Sequence, residues 1–304
     1  MSGDLEGLPS PCDAPYPGDV EPAIAAGMVE RTLRTEHGEV RYWVSERADA
    51  ERGWVAFLPG LSADHTLFDP QFAHFARRWN LVVWDAPGHG LSRPWGKRLD
   101  LDDMAGALCE ILEACGAVHP VLVGQSLGGY VAQAYLDLFP TRTAAFVSID
   151  SSPMQRRYYK RWHLAVLRHM EGICRLWGTE GFLRGQIAGN CSTTEHGRRN
   201  MLRQIERYSK RELCALYGGG FRAISDAVAK DRTYRIDCPL MIVCGTEDAA
   251  GFVKAYDKAW SRETGVPVIW VEGAGHNANV DDPAFVNAAI DRFLESTAEN
   301  HSPG

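Results

Sequence analysis

The 304-residue sequence predicts an α/β protein built on a mostly parallel sheet, and three observations carry that reading. Short apolar β-type runs alternate with stretches of helical periodicity, the pattern of strands joined by helical crossovers on both sheet faces. One run, Val121-Leu122-Val123, stops at Gly124-Gln125-Ser126-Leu127-Gly128 and gives way at once to helical spacing over Tyr130 to Phe139. The alternation is then interrupted once, over residues 151–235, by a segment that is helical throughout.

In chain order, Met28 to Arg34 and Val40 to Val44 read as two strands of a hairpin turning at His37-Gly38. Trp54 to Leu58 is a short buried strand, Phe68 to Arg78 a helix, and Leu81 to Trp84 the next strand. Leu101 to Cys115 has apolar residues at three- and four-residue spacing and reads as a helix. After the serine turn come Ala144 to Ile149 and, much later, the strands Leu240 to Val243 and Val268 to Val271, each followed by a helical stretch. Asp282 followed by Pro283 is an N-cap and first-turn pair for the last helix. The expected organisation is a leader over residues 1–26, a core formed by 27–150 and 236–304, and a helical cap over 151–235.

The insertion is expected to break near Gly178, at Cys191-Ser192 and at Tyr208-Ser209. Placed after the strand that ends at Asp150, it would lie over the C-terminal edge of the sheet, where open α/β sheets bind ligands. It holds 17 Lys/Arg against 7 Asp/Glu, a net of +10 in a chain whose net charge is −7. Solvated helix faces account for such an excess; recognition of an anionic substrate or an acidic partner surface is the sharper alternative.

Composition bounds the function. Hydrophobic content of 45% and charged content of 23% are those of an ordinary globular protein, and the acidic balance argues against nucleic acid as a partner. Residues 1–26 lack the basic-then-apolar order of a signal peptide, and no apolar run approaches a membrane span. The eight cysteines (Cys12, Cys109, Cys115, Cys174, Cys191, Cys214, Cys238 and Cys244) form no C-x-x-C pair, so neither a zinc site nor a disulfide framework is expected. The expectation is a reduced, cytoplasmic protein acting on a small molecule, with no metal or cofactor; oligomeric state is left open.

A serine at the apex of a strand–turn–helix unit is placed for nucleophilic attack, but its hydroxyl needs a base, the base an orienting acid, and the oxyanion donors. His276, in Gly273-Ala274-Gly275-His276-Asn277 after the strand Val268 to Val271, is the histidine at the right place in the chain. His65, His89 and His119 suit structural or surface roles, and His163, His169 and His196 are expected to face solvent from the insertion. Two carboxylates compete for the acid. Asp248 follows the penultimate strand; Asp150 ends the strand after the serine turn and also suits an N-cap for the first inserted helix. Asp248 is preferred, because only one helix and one strand separate it from His276. Its neighbour Glu247 is expected to point away. Asp85 comes too early in the chain and is expected to fix its own loop. The donors expected are the backbone amides of Leu127, at the helix start, and Leu61, in the loop Pro59-Gly60-Leu61. Gln125, Trp162 and Phe68 are candidates for the substrate pocket wall.

Together, Pro59-Gly60-Leu61, Asp85-Ala86-Pro87-Gly88-His89-Gly90, Gly124-Gln125-Ser126-Leu127-Gly128-Gly129, Gly245-Thr246-Glu247-Asp248 and Gly275-His276-Asn277 resemble the α/β-hydrolase superfamily, in its serine-nucleophile branch with a helical cap. The resemblance covers about residues 28–296; one departure is Pro59-Gly60, where family members often have His-Gly. It implies a serine hydrolase acting on a carboxylic ester, lactone or thioester through an acyl-enzyme. It also leaves open carbon–carbon bond hydrolysis, acyl transfer, cofactor-free oxygenation with Asp150 as the acid, and a receptor with little turnover.

Overall fold

The computed structural model describes residues 22–299. Most of the expected leader and Cys12 therefore lie outside the described residues; only a one-turn helix, α1 (Pro22–Ala25), represents that stretch. The hairpin strands are β1 (Met28–Thr35) and β2 (Gly38–Ser45), followed by β3 (Trp54–Leu58), α2 (Asp69–Phe75), β4 (Asn80–Trp84) and α3 (Leu101–Ala114). Next come β5 (Val121–Gln125), α4 (Leu127–Leu138) and β6 (Ala145–Ile149). Five helices fill the insertion: α5 (Arg161–Arg168), α6 (Met170–Leu176), α7 (Glu180–Cys191), α8 (Glu195–Ile205) and α9 (Lys210–Ala229). The chain returns through β7 (Leu240–Gly245), α10 (Val253–Thr264), β8 (Val268–Val271), α11 (Ala278–Asp281) and α12 (Pro283–Glu299).

The eight strands form one sheet in the order β1-β2-β4-β3-β5-β6-β7-β8. The β1–β2 and β2–β4 pairs are antiparallel and every pair from β4–β3 to β7–β8 is parallel. β3, β4, β5 and β6 are buried along their whole length, which is why they read as continuous apolar runs rather than alternating ones. Successive side chains feed two cores. Ala56, Leu122 and Phe146 face the layer of α3 and α4, while Phe57, Val123 and Val147 face α2 and α12.

Local chemistry sets the helix ends. Asp100 caps α3 by accepting from the amides of Asp102 and Asp103, and Asp282 accepts from the Phe285 amide to start α12. Thr179, Thr194 and Ser209 cap α7, α8 and α9, at the three breaks expected in the insertion. A further break at His169 separates α5 from α6. The helix expected from Phe68 begins instead with a 3-10 turn, His65–Phe68. That turn swings the Phe68 ring inward, 4.9 Å from Phe57, where it is completely buried against Phe72 and Phe75. Phe68 is thus a core residue and no part of a pocket wall.

The basic excess of the insertion has a structural answer. Lys230 Nζ lies 2.7 Å from Asp102 and Arg232 reaches both Asp102 and Asp137, acids of α3 and α4. Arg157 pairs with Glu263 of α10, and Arg207 lies 3.5 Å from buried Asp64. Others pair within the insertion, as Arg168 with Asp226 and Arg184 with Glu180. Much of the charge therefore joins insertion to core or stays on exposed faces, where each pair contributes about 0–1 kcal/mol.

Candidate active site

Ser126 ends the central strand β5 and begins α4, with φ 49° and ψ −117°. That conformation is strained for a residue with a side chain, and it projects the hydroxyl beyond the sheet edge. The tight passage needs glycine. A Cβ on Gly128 would meet the Leu58 carbonyl oxygen at 1.8 Å, and one on Gly124 would meet the Gly128 backbone at 2.6 Å.

His276 approaches from the loop after β8. Its Nε2 is 2.8 Å from Ser126 Oγ, and its Nδ1 is 2.9 Å from Asp248 Oδ2. The other carboxylate oxygen of Asp248 accepts the Ala250 amide at 2.7 Å, which fixes the plane of the group. Histidine and aspartate are nearly buried, so these contacts act in a poorly solvated setting. Burial alone would lower the His276 pKa, but the Asp248 charge and hydrogen bond, and then Asp150, raise it above its ordinary value. Glu247 is exposed.

Asp150 makes no hydrogen bond to His276. Its two oxygens accept from the amides of Gly245 (2.8 Å) and Ala278 (2.9 Å), so it clamps the end of β7 to the start of α11. It does not cap the first inserted helix, as its position had suggested. Burial, with the nearby Asp248 charge, pushes its carboxyl well above the usual range. Gln125 also positions the histidine loop, since its Nε2 donates to the His276 carbonyl at 2.7 Å and to Asn277 Oδ1 at 3.2 Å. Asp85 holds its own loop, accepting from the amides of His65 and Leu91, while the His65 ring pairs with it and stacks on Trp43.

The loop Pro59-Gly60-Leu61 lies directly against the serine turn: a Cβ on Gly60 would be 2.2 Å from Gln125 Oε1 and 3.1 Å from Ser126 Cβ. The Leu127 amide is the first of α4 and has no acceptor within the helix. Two amide-bearing segments thus flank Ser126, the arrangement that an oxyanion needs.

Above Ser126 is a cavity of about 390 Å³, lined by core and inserted helices together. Leu61, Gln125, Ser126 and His276 form its floor, and Trp162, Val166, Met170 and Phe221 belong to its inserted wall. Trp162 is half exposed (53%), so it is not buried between inserted helices. His163, expected to face solvent, is instead buried on the cavity with its Nδ1 against the Tyr256 hydroxyl. His169, His196 and His119 are exposed, and His89 is buried beside the Pro87 carbonyl. Sequence reasoning missed Tyr130, Tyr159, Phe252 and Tyr256 as lining residues. Tyr130 was accessible to it, being four residues beyond Ser126 on the same helix face.

Two groups among the described residues bring metal-ligating atoms together: Asp64, His65 and Asp85, and Asp150, Cys244 and Asp248. In both, carboxylate oxygens already accept backbone amides or face a histidine, so the groups serve internal hydrogen bonding. The seven cysteines among the described residues are free thiols. No helix of the described residues is long and apolar enough to cross a membrane.

Comparison with known proteins identifies the family. A family model described as alpha/beta hydrolase matches residues 55–289, and the chain belongs to that family. It is similar to 2-(acetamidomethylene)succinate hydrolase of Mesorhizobium japonicum, at 22% identity over 86% of this chain and 95% of that protein. It is also similar to 3-oxoadipate enol-lactonase 2 of Acinetobacter baylyi, at 20% identity over 81% of this chain and 90% of that one. A crystal structure of a hydrolase from Pseudomonas aeruginosa superposes with a TM-score of 0.72 at 19% identity, covering 87% of this chain and 98% of that one. The protein is an enzyme, a hydrolase of the alpha/beta family.

Proposed function

We propose that this hydrolase cleaves a carboxylic ester, lactone or thioester through an acyl-Ser126 intermediate, beneath a cap formed by residues 151–235. The observation that carries the reading is the unbroken chain Asp248–His276–Ser126, with contacts of 2.9 and 2.8 Å. His276 Nε2 takes the Ser126 proton as Oγ bonds to the substrate carbonyl carbon. The Leu61 and Leu127 amides hold the resulting oxyanion. Collapse breaks the bond to the leaving oxygen or sulfur, which receives the proton from the imidazolium. Water, deprotonated by His276, then attacks the acyl carbonyl and releases the carboxylic acid with Ser126 restored. Asp248 keeps the Nδ1 proton in place and offsets the imidazolium charge. The His276 contacts with Ser126 and Asp248 support this sequence of steps. Cofactor-free oxygenation would draw on Asp150, and the engagement of both its oxygens with backbone amides favours hydrolysis instead. The free thiols among the described residues support a reducing, cytoplasmic setting.

The test is labelling by a fluorophosphonate alongside hydrolysis of p-nitrophenyl butyrate. Ser126→Ala should abolish labelling and lower turnover by about 10⁴–10⁶ while the protein stays folded. Undiminished labelling in the folded variant would place the nucleophile elsewhere.

A further inference from the structure

The cavity above Ser126 is poor in charged side chains. Among the described residues, no lysine or arginine lines it, although the inserted helices that wall it are rich in both. Besides the Asp150 carboxyl and the His276 imidazole, the described lining holds one other basic side chain, His163, whose pKa burial and then Lys160 lower. His163 is accordingly neutral at physiological pH. Lys160 itself is exposed and lies outside the lining.

Four of the wall's polar groups are engaged with one another. The hydroxyls of Tyr130 and Tyr159 are 2.6 Å apart, and the Tyr256 hydroxyl meets His163 Nδ1. Their rings remain, and they are arranged as a nest of aromatic surfaces. Tyr159 and Tyr256 have centroids 4.5 Å apart, His163 stacks on Phe252 at 4.2 Å, and Trp162 stands edge-on to Phe252 at 5.4 Å. Trp162 and Phe252 are both about half exposed, so this aromatic pair spans insertion and core where the cavity meets solvent.

We infer that this cavity selects a neutral, ring-bearing group of the substrate and rejects groups that carry a carboxylate. The inference rests on the serine-hydrolase reading and adds its substrate class. It also separates this enzyme from relatives whose names specify succinate or oxoadipate derivatives. A carboxylate entering here would leave water with no lysine or arginine to pair with, an unfavourable transfer into an aromatic setting. A ring gains apolar burial and edge or offset contacts with the aromatic wall.

The experiment uses three fluorophosphonates that differ only in the chain on phosphorus: 4-phenylbutyl, butyl and 3-carboxypropyl. In each, Ser126 Oγ bonds to phosphorus, fluoride leaves, and His276 accepts the serine proton, so the readout needs no turnover. The full chain should react with the phenylbutyl reagent at least about tenfold faster than with the butyl one, and about a hundredfold faster than with the carboxypropyl one. Trp162→Ala should reduce the phenyl preference at least fivefold with little change in melting temperature, because its side chain is half exposed. Labelling at Ser126 with rates blind to charge and ring would overturn the inference and leave the hydrolase reading standing. No labelling by any reagent would overturn both.

Discussion

Replacing Asp248 by asparagine tests the acid assignment at a single atom. The Ala250 amide donates to Oδ1 at 2.7 Å, so the new side chain must keep its carbonyl oxygen there. Its NH₂ group is then aimed at His276 Nδ1 across the 2.9 Å contact now made by Oδ2. An amide can only donate in that position. Nδ1 is forced to accept, the ring proton moves to Nε2, and Nε2 can no longer take the proton of Ser126 Oγ at 2.8 Å. Loss of the correct tautomer should cost on the order of 10³–10⁴ in turnover, or about 4–5.5 kcal/mol of barrier. Asp150→Asn is the control. Its amide can satisfy only one of the Gly245 and Ala278 N–H groups, which should cost roughly 1–3 kcal/mol of stability while leaving the imidazole tautomer intact. Turnover should fall less than about tenfold. Saturating p-nitrophenyl butyrate kinetics at pH 8, with a melting curve for each variant, separates the two effects. An Asp248→Asn enzyme within tenfold of the parent, or a larger catalytic loss in a folded Asp150→Asn, would refute the reasoning.

Two predictions concern titration. His276 must be neutral to act as a base, and its pKa is raised above 6.5 because Asp248 and Asp150 outweigh burial, so kcat/KM should fall with acid through a midpoint above pH 6.5; a midpoint below that value would contradict the electrostatics. Asp257 on α10 is completely buried, and burial followed by the Asp248 charge raises its pKa well above 3.8. The folded chain therefore holds a proton that the unfolded chain releases near pH 4, a contribution complete below that pH and lost as pH rises toward the folded pKa. Asp257→Asn removes this titration, so its stability relative to the parent should rise as pH is raised above 4 in urea unfolding. A difference independent of pH would mean that the carboxyl is ionised in the fold.

Much of this site could be read from the residues because its chemistry is tied to strand ends. Ser126, Asp248 and His276 each lie within a few residues of the end of a short apolar run, and parallel strands bring such ends to one edge whatever lies between them. The insertion was legible only as helices and their breaks, since Thr179, Thr194 and Ser209 announce helix starts locally. Which face of α5 meets the cavity depends on packing against α9 and on α10 across the gap, so His163 gave no local sign of its burial. Phe68 misled for a related reason. A 3-10 turn rather than an α-helical one changes the direction of every side chain along it, and nothing in His65-Thr66-Leu67-Phe68 distinguishes the two. Asp150 looked like a helix cap because Ser151, Ser152 and Pro153 follow it. Its true partners, Gly245 and Ala278, are remote in sequence.

Ser126 and His276 are separated by 150 residues, and the serine sits on a central strand while the histidine follows the outermost one. During synthesis the serine turn therefore emerges long before His276, with the inserted helices and three further strands, β6, β7 and β8, between them. Closing so long a loop is slow, and local contacts alone do not favour it. A nascent or fragmentary chain carries the serine as an ordinary alcohol, unable to acylate itself or its neighbours. On the proposed mechanism, the chain becomes chemically competent only when β8 has joined the sheet, so reactivity toward a serine-directed probe would also measure completed folding.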